Sequence, residues 1–338
     1  LSNPFMHPSA PEERPDEPLR GWVDSDTNPG DLRFYTLVDD LGRVFGEFRK
    51  RFRDLKRLDR RGFLVLATGR ESDGKTTLLG NCAAYLQKCG MPRGVDVARS
   101  QVADGVWMDS SVKVVDISGL SLQQNAARGV DAEMYIFKEV LLYLRNRGVR
   151  LSDLCDSATD PGTGYRVLGE ALGDDMYLVV LLPPMDTVEQ VRTYLHLAGN
   201  RIVFLAESSS LLLATLERQA AQLRQDLGTY LYRIIRNPPD RFFYHMHIGP
   251  MREEDYWRYA DRQLRRMKPP VLITKAVVQE VREHRPDRLS IGQWRGVLRQ
   301  IFDNRPGLTV VQYHHFADEF GLTNLAVWQQ LEDPEGQA

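Results

Sequence analysis

Gly69-Arg70-Glu71-Ser72-Asp73-Gly74-Lys75-Thr76 complete the pattern G-x-x-x-x-G-K-[ST], and each part of that spacing serves one chemistry. Glycines at both ends let the backbone curl so that successive N–H groups point inward at phosphate oxygens. A helix opening at the lysine adds its partial positive charge. Lys75 can then reach the outer phosphates of a nucleoside triphosphate, and the Thr76 hydroxyl can ligate Mg2+. The expected ligands are ATP and Mg2+, with residues 69–77, Thr77 included, as the binding segment and Lys75 as the catalytic cation. Glu71 and Asp73 make the loop more acidic than phosphate favours, which weakens affinity without removing the geometry.

Such a loop has meaning only between a strand and a helix. Phe63 to Thr68 is a short apolar run of strand length, and Thr76 to Leu86 has helical character. Further buried-strand candidates are Lys113 to Ile117, Tyr177 to Leu182, Arg201 to Ala206 and Phe242 to Ile248. Helices are expected over 132–147, between the third and fourth strands, and from Leu211 to Ile235. Buried runs separated by helices predict an α/β fold: a mainly parallel sheet covered on both faces. Before it, Pro4, Pro8, Pro11, Pro15, Pro18 and Pro29 mark an extended leader. Phe34, Val38, Leu41, Phe45, Phe48, Phe52 and Leu55 then place one apolar stripe on a helix over 31–58. After Gly249-Pro250 the β pattern stops, and helices are expected at 252–266, 274–284 and 290–303, followed by an ambiguous run from Thr309 to Tyr313. The expected organisation is a leader and helical arm over 1–60, a core over 61–250 and a helical lid or C-terminal lobe over 251–338.

Composition narrows the partners. The 338 residues carry 44 Lys plus Arg against 46 Asp plus Glu, so no global basic field attracts nucleic acid or a membrane surface. A nucleic-acid contact would need a local patch, and Arg49, Lys50, Arg51, Arg53, Lys56, Arg57, Arg60 and Arg61 form one. On a continuous helix Arg49, Arg53, Lys56 and Arg57 would share a side. Three cysteines without a C-x-x-C pair indicate reduced thiols, no run of about 18 apolar residues exists, and the start lacks a signal-peptide pattern. A cytoplasmic protein with no membrane span is expected, its start at Leu1 suiting a processed or excerpted chain. His245 and His247 share a strand face, and with His314-His315 they read as packing and surface rather than metal ligands.

The loop in its strand-helix context resembles AAA+-type P-loop NTPases, and within them the branch of origin-recognition-type initiators and STAND signalling NTPases. The strand VKVVDISGLS, the segment 247–264 and the helices over 272–302 are similar to that family's second strand, its step from last strand to lid, and its lid. The resemblance implies an Asp-Glu pair after the third strand, for Mg2+ and for polarising water, but Pro183-Pro184 stand there and proline offers no side-chain oxygen. This degenerate Walker B segment leaves Asp186, if the Pro-Pro turn folds back, and Glu207, at the end of the fourth strand, as improvised acids; Glu207 also reads as an exposed loop acid. The resemblance further implies a neighbour-directed arginine near Arg233, Arg236 or Arg241, lid sensors at Arg295 or Arg299, and nucleotide-dependent self-association. A second likeness, of GKTTLLGNCAAYLQKCG to partitioning-type ATPases, would draw on Asp116. The expected function is an ATP-binding regulatory switch acting on a protein partner, with weak or absent hydrolysis. Alternatives are an initiator-like ATPase on nucleic acid, a partitioning-type ATPase and a non-hydrolysing scaffold.

Overall fold

A computed structural model describes residues 39–91, 110–120, 131–174, 176–234, 242–249, 251–267, 270–284 and 289–320. In chain order its elements are α1 (Asp39–Arg51), β1 (Phe63–Thr68), α2 (Lys75–Cys89), β2 (Val112–Asp116), α3 (Ala132–Asn146), α4 (Asp153–Asp156), α5 (Pro161–Ala171), β3 (Tyr177–Leu181), α6 (Val188–Leu197), β4 (Ile202–Glu207), α7 (Ser210–Gln222), α8 (Leu227–Ile234), β5 (Phe243–His247), α9 (Glu253–Leu264), β6 (Leu272–Ile273), α10 (Lys275–His284), α11 (Ile291–Asn304), β7 (Val310–Val311) and α12 (Tyr313–Phe320).

The five apolar runs form one parallel sheet in the order β2-β3-β4-β1-β5. Strands β1 and β3 are buried at every position, which is why they are continuously apolar rather than alternating. Side chains still alternate between faces. Val65, Val179, Val203 and Leu205 point into a cluster shared with α1, α2 and the helices after β5. Leu64, Leu66, Val180 and Phe204 point into a second cluster shared with α3, α5, α6 and α7. The first cluster therefore continues from the sheet into the C-terminal helices, through Tyr256, Trp294, Leu298 and Phe316.

The elements depart from the expected ones at four points. The stripe over 31–58 is not one helix: its first residues lie outside the described ones, α1 ends at Arg51, and Leu55–Asp59 form a separate 3-10 turn. Asp54 restarts the chain there by accepting the Lys56 N–H at 3.1 Å, a local bond that competes with helix continuation. The helix from Leu211 to Ile235 is two helices, broken where Arg224 turns left-handed at φ 51° and Asp226 accepts the Thr229 N–H at 2.6 Å. Helices α4 and α5, not anticipated, begin at N-caps Ser152 and Asp160, with Pro161 opening α5. The β pattern does not end at residue 250, because β6 and β7 pair in parallel, Leu272 opposite Val310.

Candidate phosphate-binding site

Strand β1 runs down the interior of the sheet and delivers the chain, at Thr68, to the loop that opens α2. Gly74 sits at the N-cap with φ 87° and supplies no side-chain cap, so the first-turn amides of α2 have no intrahelical acceptor. Lys75 is buried and folds back along the loop, its Nζ donating to the carbonyls of Gly69 at 3.0 Å and Arg70 at 2.8 Å. Asp73 is also buried, and its carboxylate accepts the Arg70 N–H at 2.7 Å, stapling the loop to itself. Burial pushes the Asp73 carboxyl above the usual range, while that bond and the nearby Lys75 and Arg70 charges pull it back. Arg70, Glu71 and Ser72 are exposed at the rim, and Thr77 is half-buried in the first turn of α2.

The acid that reaches this loop comes from β4. Glu207 is that strand's last residue and stands opposite Ala67 in the parallel register with β1. The Thr76 hydroxyl donates to its Oε2 at 2.8 Å. Glu207 is therefore a half-buried member of the site, not an exposed loop acid. Burial raises its carboxyl, opposed by the Thr76 bond and the Lys75 charge. A hydroxyl and a carboxylate so placed are hard oxygen donors of the kind Mg2+ takes, and they could hold it.

Asp186 lies elsewhere. After β3 the chain runs on beside the end of β4, with the Met185 N–H donated to the Glu207 carbonyl at 2.8 Å and the Ser209 N–H to the Met185 carbonyl at 2.9 Å. The two prolines thus carry the chain past the loop, and Asp186 emerges exposed just before α6, its N–H donated to Gln190 Oε1 at 2.7 Å. Among the described residues, Glu207 and not Asp186 contacts Thr76. Asp116 ends β2, separated from β1 by β3 and β4.

Beneath the loop, the Thr68 hydroxyl lies 2.7 Å from His245 Nε2 and 3.1 Å from His247 Nδ1. Burial and the neighbouring His247 push His245 down to about 4, so this imidazole is neutral at physiological pH. Among the described residues, no group of three or more His, Cys, Asp or Glu is placed to hold a metal ion. Of the arginines, Arg233 is exposed on α8, Arg295 and Arg299 are half-buried on α11, and Arg236 and Arg241 lie outside the described residues. The basic patch is divided by the end of α1. Arg49 stacks on Phe45 and Tyr85, Arg51 on Phe63 and Tyr244, and Arg61 on Phe242, with guanidinium-to-ring distances of 5.2–6.0 Å. Arg53, Lys56 and Arg57, beyond Arg51, cannot share a helix face with Arg49.

A parallel sheet whose interior strand passes through a glycine-bounded phosphate loop into a helix defines an α/β P-loop NTPase fold. No family model and no curated protein matches the sequence. Among solved structures, the chain is similar to the Aeropyrum pernix ORC2 protein in its ADPNP-ADP complexes, at 12% identity and TM-score 0.48, over 83% of this chain and 67% of that one. The ADP form of the same protein aligns at 11% identity and TM-score 0.49, over 94% and 71%. PCH-2 of C. elegans aligns at 13% identity and TM-score 0.43, over 87% and 70%. The fold assignment rests on the sheet and the loop themselves. Among the described residues, no helix is long and apolar enough to cross a membrane.

Proposed function

We propose that the chain is an ATP-binding regulatory switch of the AAA+ type. Nucleotide on residues 69–77 sets how a C-terminal lobe over 251–338 sits against a core over 61–250, and so which surface meets a protein partner or a second copy of the chain. The observation that carries this reading is the convergence of Lys75, Thr76 and Glu207 on one loop. Lys75 would neutralise phosphate, Thr76 would hold Mg2+, and the uncapped first-turn amides of α2 would receive phosphate oxygens. Binding survives the loss of the β3 acids better than hydrolysis does, because one carboxylate must serve both metal and water. The Thr76–Glu207 bond favours a second reading, slow hydrolysis with Glu207 as the base. Isothermal titration with ATP and ADP, with and without Mg2+, tests the proposal, and absence of heat at millimolar nucleotide overturns it.

Glu207→Gln separates the two readings. Because burial raises Glu207, the folded chain holds that proton to higher pH than the unfolded chain does. The ionised carboxylate therefore lowers stability above the ordinary glutamate value of about 4.3 and has no such effect well below it. Glutamine keeps an acceptor for Thr76 and removes the charge. The variant is expected to melt higher than wild type at neutral and alkaline pH, with the gap closing on acidification. On the second reading phosphate release is expected to disappear, and on both readings ATP binding without Mg2+ persists. Unchanged phosphate release would exclude Glu207 as the base.

A further inference from the structure

The first turn of α11 lies against the phosphate loop, and backbone makes the contact. The Gly292 N–H donates to the Ser72 carbonyl at 2.9 Å. A methyl added at 292 would stand 2.7 Å from Ser72 Cβ and 3.2 Å from its carbonyl oxygen, so only glycine allows this approach without displacement. Ile291 completes the contact, its Cγ2 lying 3.3 Å from where a methyl on Gly74 would be. Ser72 is left-handed at φ 62°, a conformation that a residue with a Cβ keeps only where its surroundings hold it.

The surface that holds it is braced by hydrogen bonds. Ser290 and Gln293 form a capping box at the start of α11. The Tyr256 hydroxyl donates to the Leu289 carbonyl at 2.9 Å, and the Trp294 indole N–H donates to the Tyr256 carbonyl at 3.0 Å. The effect passes into the loop through peptide planarity. With the Ser72 carbonyl turned to Gly292, the Asp73 N–H is fixed on the opposite side, where it donates to the Arg70 carbonyl at 3.3 Å. That same Arg70 carbonyl accepts from Lys75 Nζ.

We infer that Gly292 is a positioning residue for the phosphate loop: through it α11 holds Ser72 in its left-handed turn, and nucleotide binding and docking of α11 are thereby linked. This rests on the nucleotide-binding reading above. The test is ATP titration of the full chain as wild type, Lys75→Ala, Gly292→Ala, Gly296→Ala and the double variant Ser72→Gly with Gly292→Ala. Gly296 is in the same helix with nothing within 4 Å of an added methyl, so it controls for alanine in α11. Gly292→Ala is expected to weaken ATP binding about tenfold through misplacement of the loop. Gly296→Ala is expected to leave affinity unchanged, and the double variant to recover most of the loss, because Ser72→Gly removes the Cβ and Oγ that the methyl meets together with the left-handed strain and leaves only the carbonyl oxygen at 3.2 Å. A merely structural role would lower the melting temperature of Gly292→Ala without rescue of affinity by Ser72→Gly. Wild-type affinity in Gly292→Ala, or failure of the rescue, overturns the inference, and loss of binding in Lys75→Ala shows that the nucleotide reading survives. No binding by wild type overturns both. Should Gly292→Ala not fold, hydrogen exchange on wild type decides: ATP is expected to increase protection at the start of α11, and unchanged exchange there overturns the inference.

Discussion

Lys75→Ala is expected to remove measurable ATP binding, a loss of about a hundredfold or more. Charge-assisted hydrogen bonds contribute about 1.5–3 kcal/mol each, and about 1.4 kcal/mol is a tenfold change in affinity, so a lysine bridging two phosphates accounts for at least that factor. Burial of the lysine magnifies the effect. Lys75 is 8% exposed, and its charge acts on both the Asp73 and the Glu207 carboxyls. Without it, an incoming phosphate meets two acids with only the exposed Arg70 at the rim to offset them. The apo protein changes as well. The Gly69 carbonyl loses its donor, at about 1–3 kcal/mol for an acceptor left buried and unpaired, while the Arg70 carbonyl keeps the Asp73 N–H, so the variant is expected to melt below wild type before any nucleotide is added. Titration calorimetry and thermal melts check the two parts separately. Retained affinity in a folded Lys75→Ala protein would remove the loop from the site.

Trp294→Ala is expected to be the most damaging substitution among the C-terminal helices, at about 3–5 kcal/mol. The indole is fully buried, stacked on Phe316 at 5.2 Å and edge-on to Tyr256 at 5.4 Å, and it donates to the Tyr256 carbonyl. Alanine would leave a cavity between α9, α11 and α12 and remove the indole's hydrogen bond. Against total stabilities of about 5–15 kcal/mol, the loss is enough to unfold this part of the chain. Trp294 lies two positions after Gly292, so ATP affinity is expected to fall along with stability. Trp294→Phe keeps a ring but no N–H and is expected to cost less, about 1–3 kcal/mol. Urea unfolding followed by fluorescence and circular dichroism measures both variants. A wild-type midpoint for Trp294→Ala would contradict the packing described for α11.

The phosphate loop was legible in the sequence because its chemistry is local. Residues 69–76 are contiguous, and the flanking strand and helix signals lie within a few residues. The five strands were legible because strands covered on both faces must be continuously apolar. The breaks were less so: Asp54, Asp226 and the caps before α4 and α5 act through side-chain bonds within two or three residues, which apolar periodicity overlooks. Which acid reaches that loop was not legible at all. Sequence proximity to the end of β3 favours Asp186, whereas strand order places β4 beside β1 and brings Glu207 to Thr76 across 131 residues. Thr68 meets His245 across 177 residues in the same way, and the Ser72 carbonyl meets Gly292 only because the helices after β5 share a hydrophobic cluster with α1 and α2. Backbone curl, helix propensity and burial on both faces are properties of short stretches, so the sequence alone determined the loop and most of the elements around it. Which acid, which imidazole and which glycine face that loop are properties of the order in which strands pair and the face on which helices pack, and these only the tertiary structure decided.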